Sequence, residues 1–235
     1  MEIKNLKQGK ILKRYKRFFV DVELDSGEVV TSHCANTGPM TSALESGWKC
    51  LVSYNPDPKR KLQYSLQFTN NGKHWIGVNT HLTNTLVKEA LQQKLIPELA
   101  AYNKIIPEVT FEESRLDFLL EDHLGKKCYV EVKNVSTLIS ENFGVFPDTV
   151  SDRASKHLDT LSKIRKLGFR TVVLFIAQRE DILDFSPNFK KDIIFSESLI
   201  ARIAEGVEVL VYGCKLDLPQ IQIAKKLNFK PTRIF

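Results

Sequence analysis

The sequence has few cysteines, no long apolar run and no recognisable export segment. The four cysteines among 235 residues show no CxxC spacing, which argues against a zinc ribbon and against a disulfide framework. No stretch approaches the roughly 20 apolar residues that a membrane helix needs. The first 19 residues contain no apolar segment with a small-residue cleavage site. These absences predict a folded cytoplasmic protein that has no membrane partner and that could also associate with the nucleoid.

Positive charge is concentrated in the first third of the chain. Residues 1–80 contain 12 Lys and Arg against 7 Asp and Glu, a net of +5, whereas the whole chain carries +6. A one-sided basic surface is typical of proteins that bind a phosphate backbone, although solvated strand edges produce the same pattern. The candidate nucleic-acid-binding residues in these clusters are Arg14, Lys16, Arg17, Arg60 and Lys61.

Residues 1–80 alternate between apolar and polar positions in short segments separated by turn residues. The segments that we predict as strands are 18–24, 28–34, 49–54 and 62–68. Alternation of this kind, with a turn about every ten residues, predicts a small antiparallel barrel, and its basic charge favours the oligonucleotide-binding (OB) type. Aromatic residues of such a barrel either stack on bases or fill the core, and the candidates are Tyr15, Phe18, Tyr54 and Tyr64.

The apolar period changes to that of a helix at Asn84, which we expect to be an N-cap for a helix that stops at Pro97. Residues 81–235 are therefore expected to form a second domain. The further strands are predicted at 108–113, 115–121, 127–135, 171–177 and 207–212, and the further helices at 151–167 and 196–205. This order predicts a mixed α/β sheet with helices on both sides and an α+β chain overall.

Three residues on two consecutive predicted strands carry the most informative chemistry. Side chains alternate along a strand, so Glu131 and Lys133 share a face, and Asp117 joins them if the two strands pair antiparallel. Two nearby carboxylates favour a hard divalent cation such as Mg²⁺ between them, and this set suits phosphodiester hydrolysis. The alternative is an ordinary surface ion pair between Glu131 and Lys133.

Two further candidates lie on the predicted helix 151–167. Arg153 and His157 are four residues apart and therefore share a face, which we expect to lie opposite the apolar face of the helix. They are candidates for contact with nucleic acid, and the alternative is a helix surface with ordinary charges.

Eight short motifs, spread nearly from end to end, give the chain its resemblance to a known family. They are Arg14-Tyr15-Lys16-Arg17-Phe18, His33-Cys34-Ala35-Asn36-Thr37-Gly38, Arg60-Lys61-Leu62, Gly77-Val78-Asn79-Thr80, Arg115-Leu116-Asp117-Phe118-Leu119, Glu131-Val132-Lys133-Asn134-Val135, Phe146-Pro147-Asp148 and Lys156-His157-Leu158. With these motifs the chain resembles the sugar fermentation stimulation protein A family. The resemblance implies an OB-like barrel followed by a domain of the PD-(D/E)xK nuclease type, and DNA binding with a suggested role in regulating sugar metabolism genes.

The resemblance also implies roles for individual residues. Asp117 and Glu131 correspond to metal ligands, Lys133 to the catalytic lysine, and Glu89 to a helix carboxylate of the nuclease superfamily. The chain departs from the pattern at one place, because residues 155–157 of the later helix offer no counterpart to a glutamine that RecB-like members often carry.

Two functions of different classes fit these observations. The first is a DNA-binding protein with a Mg²⁺-dependent phosphodiesterase site, in effect a deoxyribonuclease that uses Mg²⁺ or Mn²⁺ and acts on DNA without strong sequence preference. The second is a non-catalytic DNA-binding regulator of sugar metabolism genes with a vestigial nuclease fold. Hydrolysis requires Asp117, Glu131 and Lys133 on one face, whereas binding alone does not.

Overall fold

Five strands in the first third of the chain close into a barrel, and a sixth short strand extends it. The strands are β1 (Leu6–Tyr15), β2 (Phe19–Leu24), β3 (Val29–His33), β4 (Lys49–Tyr54), β5 (Tyr64–Asn70) and β6 (Trp75–Gly77). In this computed structural model, which describes residues 1–233, their order is β3-β2-β1-β4-β5-β6. A pairing between β3 and β5 closes the ring, so the OB-like barrel is confirmed.

The barrel core follows from the alternation seen in the sequence. Val20 and Val22 on β2 point inward and are fully buried, whereas Asp21 between them lies outside the core. The turn between β2 and β3 contains Gly27, whose φ of 84° lies in the left-handed region that glycine adopts without steric cost. Among the candidate stacking residues, Tyr64 belongs to the core and Phe18 is 46% exposed.

The second part of the chain is built on a six-stranded sheet in the order β15-β14-β12-β9-β8-β7. Its strands are β7 (Lys104–Phe111), β8 (Ser114–Glu121), β9 (Lys127–Val135), β12 (Arg170–Ala177), β14 (Glu208–Asp217) and β15 (Gln220–Lys226). The helices are α1 (Thr83–Gln92), α2 (Asp152–Lys166) and α3 (Ile193–Ala204). The predicted domain 81–235 ends in two residues that lie outside the described range.

Helices cover both faces of this sheet, as the sequence predicted. Along β12 the even-numbered Val172 and Leu174 pack in the core that includes Leu86 of α1. The odd-numbered Val173 and Phe175 pack in the core that includes α2 and α3. All four are fully buried, which explains why the sequence of β12 is continuously apolar rather than alternating.

A second, four-stranded sheet was not predicted from the sequence. It consists of β10 (Thr137–Ser140), β11 (Phe143–Phe146), β13 (Asp184–Pro187) and β16 (Asn228–Phe229), in the order β10-β11-β13-β16. These strands have at most four residues, so they are too short to show a clear alternation.

The first helix differs from the prediction at both ends. Asn84 is not an N-cap, because a short 3-10 helix at Thr80–Leu82 precedes α1 and its cap is Asn79, whose side chain accepts a hydrogen bond from the His81 amide. Asn84 instead lies in the first turn of α1. The helix ends at Gln92, before Pro97, which begins a separate 3-10 turn.

The barrel and the six-stranded sheet meet through backbone contacts. Ile76 on β6 forms a β-bridge with Arg179, and the Gly77 amide donates a 2.7 Å hydrogen bond to the Gln178 carbonyl. Residues 1–3, which we assigned to the barrel, lie against the second domain, where the Ile3 amide donates to the Pro219 carbonyl. Within residues 1–233 no helix has both the length and the apolar character to cross a membrane.

Candidate functional site

The site lies where β8 separates from β9. The two strands pair antiparallel, as expected, and their last paired residues at this end are Phe118 and Val130. Beyond this pair the Asp117 side chain replaces a backbone partner, because its Oδ2 accepts a 2.7 Å hydrogen bond from the Val132 amide. Its Oδ1 accepts a 2.7 Å hydrogen bond from the Asn84 side chain. Asp117 is thus held at the opening between the two strands.

Glu131 is held from two sides and has only 3% of its side chain exposed. Lys133 Nζ lies 2.7 Å from Glu131 Oε1, and His157 Nδ1 of α2 bonds to the same oxygen. Glu131 pairs with Val173 across β9 and β12, so it faces the side of the sheet that α2 covers. The other oxygen, Oε2, is buried without a hydrogen-bond partner in the described structure.

The two carboxyl groups have pKa values shifted in opposite directions. Burial raises the pKa of Asp117, and the negative charge of Glu131 raises it further. Burial alone would also raise the pKa of Glu131. The hydrogen bond from His157 and the charge of Lys133 outweigh that effect and hold the Glu131 pKa below its usual value. The arrangement therefore favours one firmly ionised carboxylate beside a second one that is costly to ionise without additional positive charge.

The carboxylates open into a pocket of about 520 Å³, which we call the carboxylate pocket. Its lining comes from the 3-10 helix before α1, from α1 and α2, and from three strands: Thr80, His81, Thr83, Asn84, Glu108, Asp117, Glu131, Val132, Lys133, Asn134 and Arg153. The exposed Arg153 of α2 also lines this pocket. Asp117, Glu131, Lys133 and Arg153 are the predicted residues that the structure brings together.

Glu89 is not brought to this pocket, which corrects the prediction from the nuclease pattern. Its carboxylate lies 2.9 Å from the amino group of Met1 and also accepts a hydrogen bond from Gln93. A helix turns once in 3.6 residues and rises 1.5 Å per residue, so Glu89 is rotated by about 140° and displaced by about 7.5 Å from Asn84. Asn84 occupies the helix position that faces Asp117.

His157 differs from its predicted environment. We expected it on an open polar face of the helix, but its side chain is only 8% exposed and contacts Glu131. It is therefore placed to orient a carboxylate rather than to meet a phosphate directly. His157 lies in the segment 155–157 of α2, where the chain has no counterpart to the glutamine that RecB-like members often carry.

The residues present fit a divalent cation, although the ligand set is small. Within residues 1–233, no group of three or more His, Cys, Asp and Glu side chains is arranged as a metal-binding cluster. Asp117 and Glu131 nevertheless line the pocket together with Glu108, and the buried Oε2 of Glu131 lacks a partner. A buried anionic oxygen without a partner is costly, and a cation would remove that cost. Oxygen ligands are those that Mg²⁺, Ca²⁺ and Mn²⁺ prefer.

The first basic cluster lies at the hairpin between β1 and β2. Lys16 and Arg17 are exposed and have φ values of 47° and 64°, a region that non-glycine residues rarely adopt. Arg14 is not free for a ligand, because its guanidinium donates to the carbonyls of Arg17, Asn36 and Pro39. Arg14 therefore holds the hairpin against the 36–39 loop, while Lys16 and Arg17 present charge to solvent.

The second basic cluster lies beside exposed aromatic surface. Arg60 and Lys61 line a shallow pocket of about 400 Å³ together with Phe18 and His33. Arg60 also donates a 2.9 Å hydrogen bond to the Ser65 hydroxyl. Proteins that bind single-stranded nucleic acids use this combination, in which the cations contact the backbone and the exposed ring stacks on a base.

Several pocket residues were missed from the sequence. Glu108 on β7 lies across from Asp117, between the pairs Pro107–Phe118 and Val109–Leu116, and has a φ of 54°. The pairing register of β7 and β8 would have placed Glu108 beside Asp117. The irregular backbone at Glu108, however, cannot be recognised from the residue types of β7. The role of Asn84 as a pocket residue could have been inferred from its position in the first turn of α1.

Comparison with known proteins agrees with this architecture. Residues 12–78 match the family model described as the SfsA N-terminal OB domain, and residues 81–220 match the sugar fermentation stimulation protein RE domain. A sugar fermentation stimulation protein homolog from Caulobacter vibrioides is 43% identical over 220 residues, which cover 93% of this chain and 92% of that protein. A homolog from Magnetococcus marinus is 42% identical over 224 residues, with 95% and 96% covered.

One solved structure resembles the whole chain. It is that of SfsA from Pyrococcus furiosus in complex with Ca²⁺, with 26% identity, a TM-score of 0.88 and 98% of both chains covered. Two family models that together span most of the chain, and relatives above 40% identity, agree with it. The chain belongs to the sugar fermentation stimulation protein family.

Proposed function

We propose that this protein binds DNA without strong sequence preference and hydrolyses its phosphodiester bonds with a divalent cation held by Asp117 and Glu131. The observation that carries the proposal is the pairing of these two carboxylates with Lys133 in one pocket, where a buried oxygen of Glu131 lacks a partner. A protein that only bound DNA would have no need to bury this set, since two carboxylates repel a phosphate.

The divalent cation would be Mg²⁺, with Mn²⁺ as a substitute. When bound, it supplies a Lewis acid for a phosphate oxygen and lowers the pKa of a water molecule. Asn84 and the Val132 amide fix the orientation of Asp117, and His157 and Lys133 fix that of Glu131. The SfsA of Pyrococcus furiosus was solved in complex with Ca²⁺, which supports a divalent cation in this fold. Ca²⁺ favours a larger, looser coordination shell than Mg²⁺ does.

Lys133 and Arg153 supply the positive charge that a phosphate requires. Lys133 is 11% exposed at the pocket floor and stabilises negative charge that develops on the phosphate. Arg153 is exposed at the start of α2 and can hold a phosphate oxygen with its planar group. The first turns of α1 and α2 also border the pocket, and helix N-termini favour anions.

The test compares cleavage of a DNA duplex and a single strand by the wild type and by two variants, with Mg²⁺, Mn²⁺, Ca²⁺ or EDTA. We expect slow cleavage with Mg²⁺ or Mn²⁺, little with Ca²⁺ and none with EDTA. Asp117→Asn removes a ligand and should abolish cleavage while leaving DNA binding intact or slightly tighter. Lys133→Ala should also abolish cleavage.

Lys127→Ala is the matched control, since Lys127 lies on the same strand about 20 Å from Lys133 at roughly 3.3 Å per residue. It should cut like the wild type. Cleavage at the wild-type rate by both active-site variants would show a contaminating nuclease. No cleavage by the wild type under any of these conditions would contradict the proposal and favour a non-catalytic DNA-binding regulator.

A further inference from the structure

Three pockets adjoin one another where the barrel meets the second domain. The carboxylate pocket shares Thr80 and Asn134 with a smaller cavity of about 210 Å³, which we call the middle pocket. The middle pocket shares Gly38 and Thr149 with a third pocket, the outer pocket. The three form a continuous path from the paired carboxylates to the β1–β2 hairpin.

Within the described part of the chain, lysine and arginine line the two ends of this path but not its middle. The carboxylate pocket contains the cations Lys133 and Arg153 beside the carboxylates of Glu108, Asp117 and Glu131. The outer pocket contains four cations, which are Arg14, Lys16, Arg17 and Lys191. Among residues 1–233, those that line the middle pocket include no lysine or arginine, and most of them carry hydroxyl or amide groups.

A polynucleotide has a complementary pattern, because each uncharged nucleoside lies between two anionic phosphates. We propose that the middle pocket binds one nucleoside, turned out of its base stack, next to the phosphate that the carboxylate pocket holds. The following phosphate would then lie against Lys16, Arg17 and Lys191. This inference rests on the proposed function, because it takes the carboxylate pocket as the place of the scissile phosphate.

The size of the middle pocket supports a single ring system. Drug-sized ligands occupy pockets of roughly 300–1,000 Å³, and this cavity is smaller. A base inside a duplex cannot enter such a cavity, whereas proteins that act on or read a single base rotate it out of the helix. Thr80 and Asn134 line both pockets, so the nucleoside site and the phosphate site share a wall.

The polar groups of the middle pocket are fixed before a ligand arrives. Asn36 is 6% exposed, donates a 3.2 Å hydrogen bond to the Ser136 hydroxyl and accepts a 2.9 Å hydrogen bond from the Gly38 amide. It therefore joins the barrel to the second domain at the floor of the cavity. Buried side chains that are already oriented lose little entropy when they bind, which favours specific recognition.

Asp148 is the group that would read the base. Its carboxylate packs directly on Gly38, where an added Cβ would lie 1.8 Å from Oδ2. Burial raises its pKa, although Arg14 and Lys191 act in the opposite direction. A carboxylate accepts two hydrogen bonds side by side. Guanine presents an imino and an amino N–H next to each other, so guanine is the base that this pocket fits best.

The experiment measures binding of small probes to the full-length protein with Ca²⁺ by calorimetry. The probes are deoxyribose 5-phosphate, which lacks a base, and the four deoxynucleoside 5′-monophosphates. We expect the guanine nucleotide to bind at least about fivefold tighter than the baseless phosphate, as one bidentate contact implies. The other nucleotides should bind more weakly than the guanine nucleotide.

Two variants remove the reading group by different means. Asp148→Asn keeps the size but replaces an acceptor by a donor, and Gly38→Ala displaces the carboxylate. Both should lose the preference for guanine while binding the baseless phosphate as the wild type does. Glu141→Gln makes the same charge change on an exposed carboxylate outside the pocket and should keep the preference.

The outcomes separate this inference from the proposed function. Equal binding of all four nucleotides and of the baseless phosphate would overturn the nucleoside pocket and leave the phosphate site standing. A guanine preference that persists in both variants would also overturn it. A third outcome is that Asp148→Asn removes a guanine preference while the baseless phosphate does not bind at all. That outcome would support the nucleoside pocket and contradict the phosphate site. No binding of any probe would overturn both.

Discussion

Replacing Glu131 by glutamine should destabilise the protein strongly when no divalent ion is present. The buried carboxylate contacts Lys133, which is 11% exposed, and His157, which is 8% exposed. Removing one partner of a buried ion pair typically costs 3–5 kcal/mol. Because the nearby Asp117 also attracts Lys133, we expect the lower end, about 3 kcal/mol. For a chain of this size the melting temperature should fall by roughly 6–12 °C.

The assay is thermal unfolding in EDTA and then with increasing Ca²⁺. A ligand at 100 times its Kd stabilises the folded state by about 2.7 kcal/mol, so the wild type should melt higher with Ca²⁺. Glu131→Gln should gain much less, since it lacks one of the two carboxylates. Glu121→Gln is the control, because Glu121 forms an exposed pair with Lys104 that should contribute no more than about 1 kcal/mol.

Two results would refute this reasoning separately. A loss below about 1 kcal/mol in EDTA would show that the contacts of Glu131 with Lys133 and His157 do not stabilise the fold. An unchanged stabilisation by Ca²⁺ in Glu131→Gln would show that Glu131 is not a ligand.

Three further predictions concern other parts of the molecule. Burial would raise the pKa of Glu98, but its hydrogen bonds with Lys226 and Tyr212 hold that pKa below its usual value. The contribution of Glu98 to stability is therefore present above the unfolded pKa and is lost as pH falls through the folded pKa. Urea titrations should show Glu98→Gln less stable than the wild type at pH 7, and the difference should shrink as the pH falls through the folded pKa. Burial raises the pKa of the Cys128 thiol to about 12, so a thiol reagent at pH 8 should label Cys128 only as the protein unfolds, and rapid labelling of the native protein would contradict this. Arg179 is 1% exposed and donates to the carbonyls of Ser42 and Ser136 and to Asp181, so Arg179→Met should cost about 3–5 kcal/mol in denaturant unfolding.

The sequence predicted best those elements whose residues are determined by local pattern. The bounds of β9 and β12 were predicted to within one residue, because continuous apolar runs and alternation are local signals. The placement of Glu131 and Lys133 on one face followed directly from the strand period. Asp117 was expected to join them if β8 and β9 paired antiparallel, and the two strands do pair in this way.

The residues that were misplaced depend on tertiary contacts. Glu89 was assigned to the site from a motif. Which side of α1 faces the pocket depends on where the helix begins, and residue types alone did not reveal the 3-10 turn that precedes it. His157 was assigned to a polar face because it lies four residues after Arg153, opposite the apolar face of the helix, yet the carboxylate of Glu131 gives it a buried partner. Glu108 reaches the pocket through an irregular position in β7 that no apolar period records.

The contact between the last barrel strand and the end of β12 determines how the two halves can move. A side chain at position 77 would collide with Gln178, so glycine is what allows the two backbones to approach within hydrogen-bonding distance. A joint made of backbone hydrogen bonds cannot act as a hinge without breaking them. The barrel is therefore held in a fixed orientation relative to the second domain, and a long ligand that touches both halves would have to fit that orientation. An exchange of barrels between relatives would succeed only where the incoming strand also carries glycine at this position.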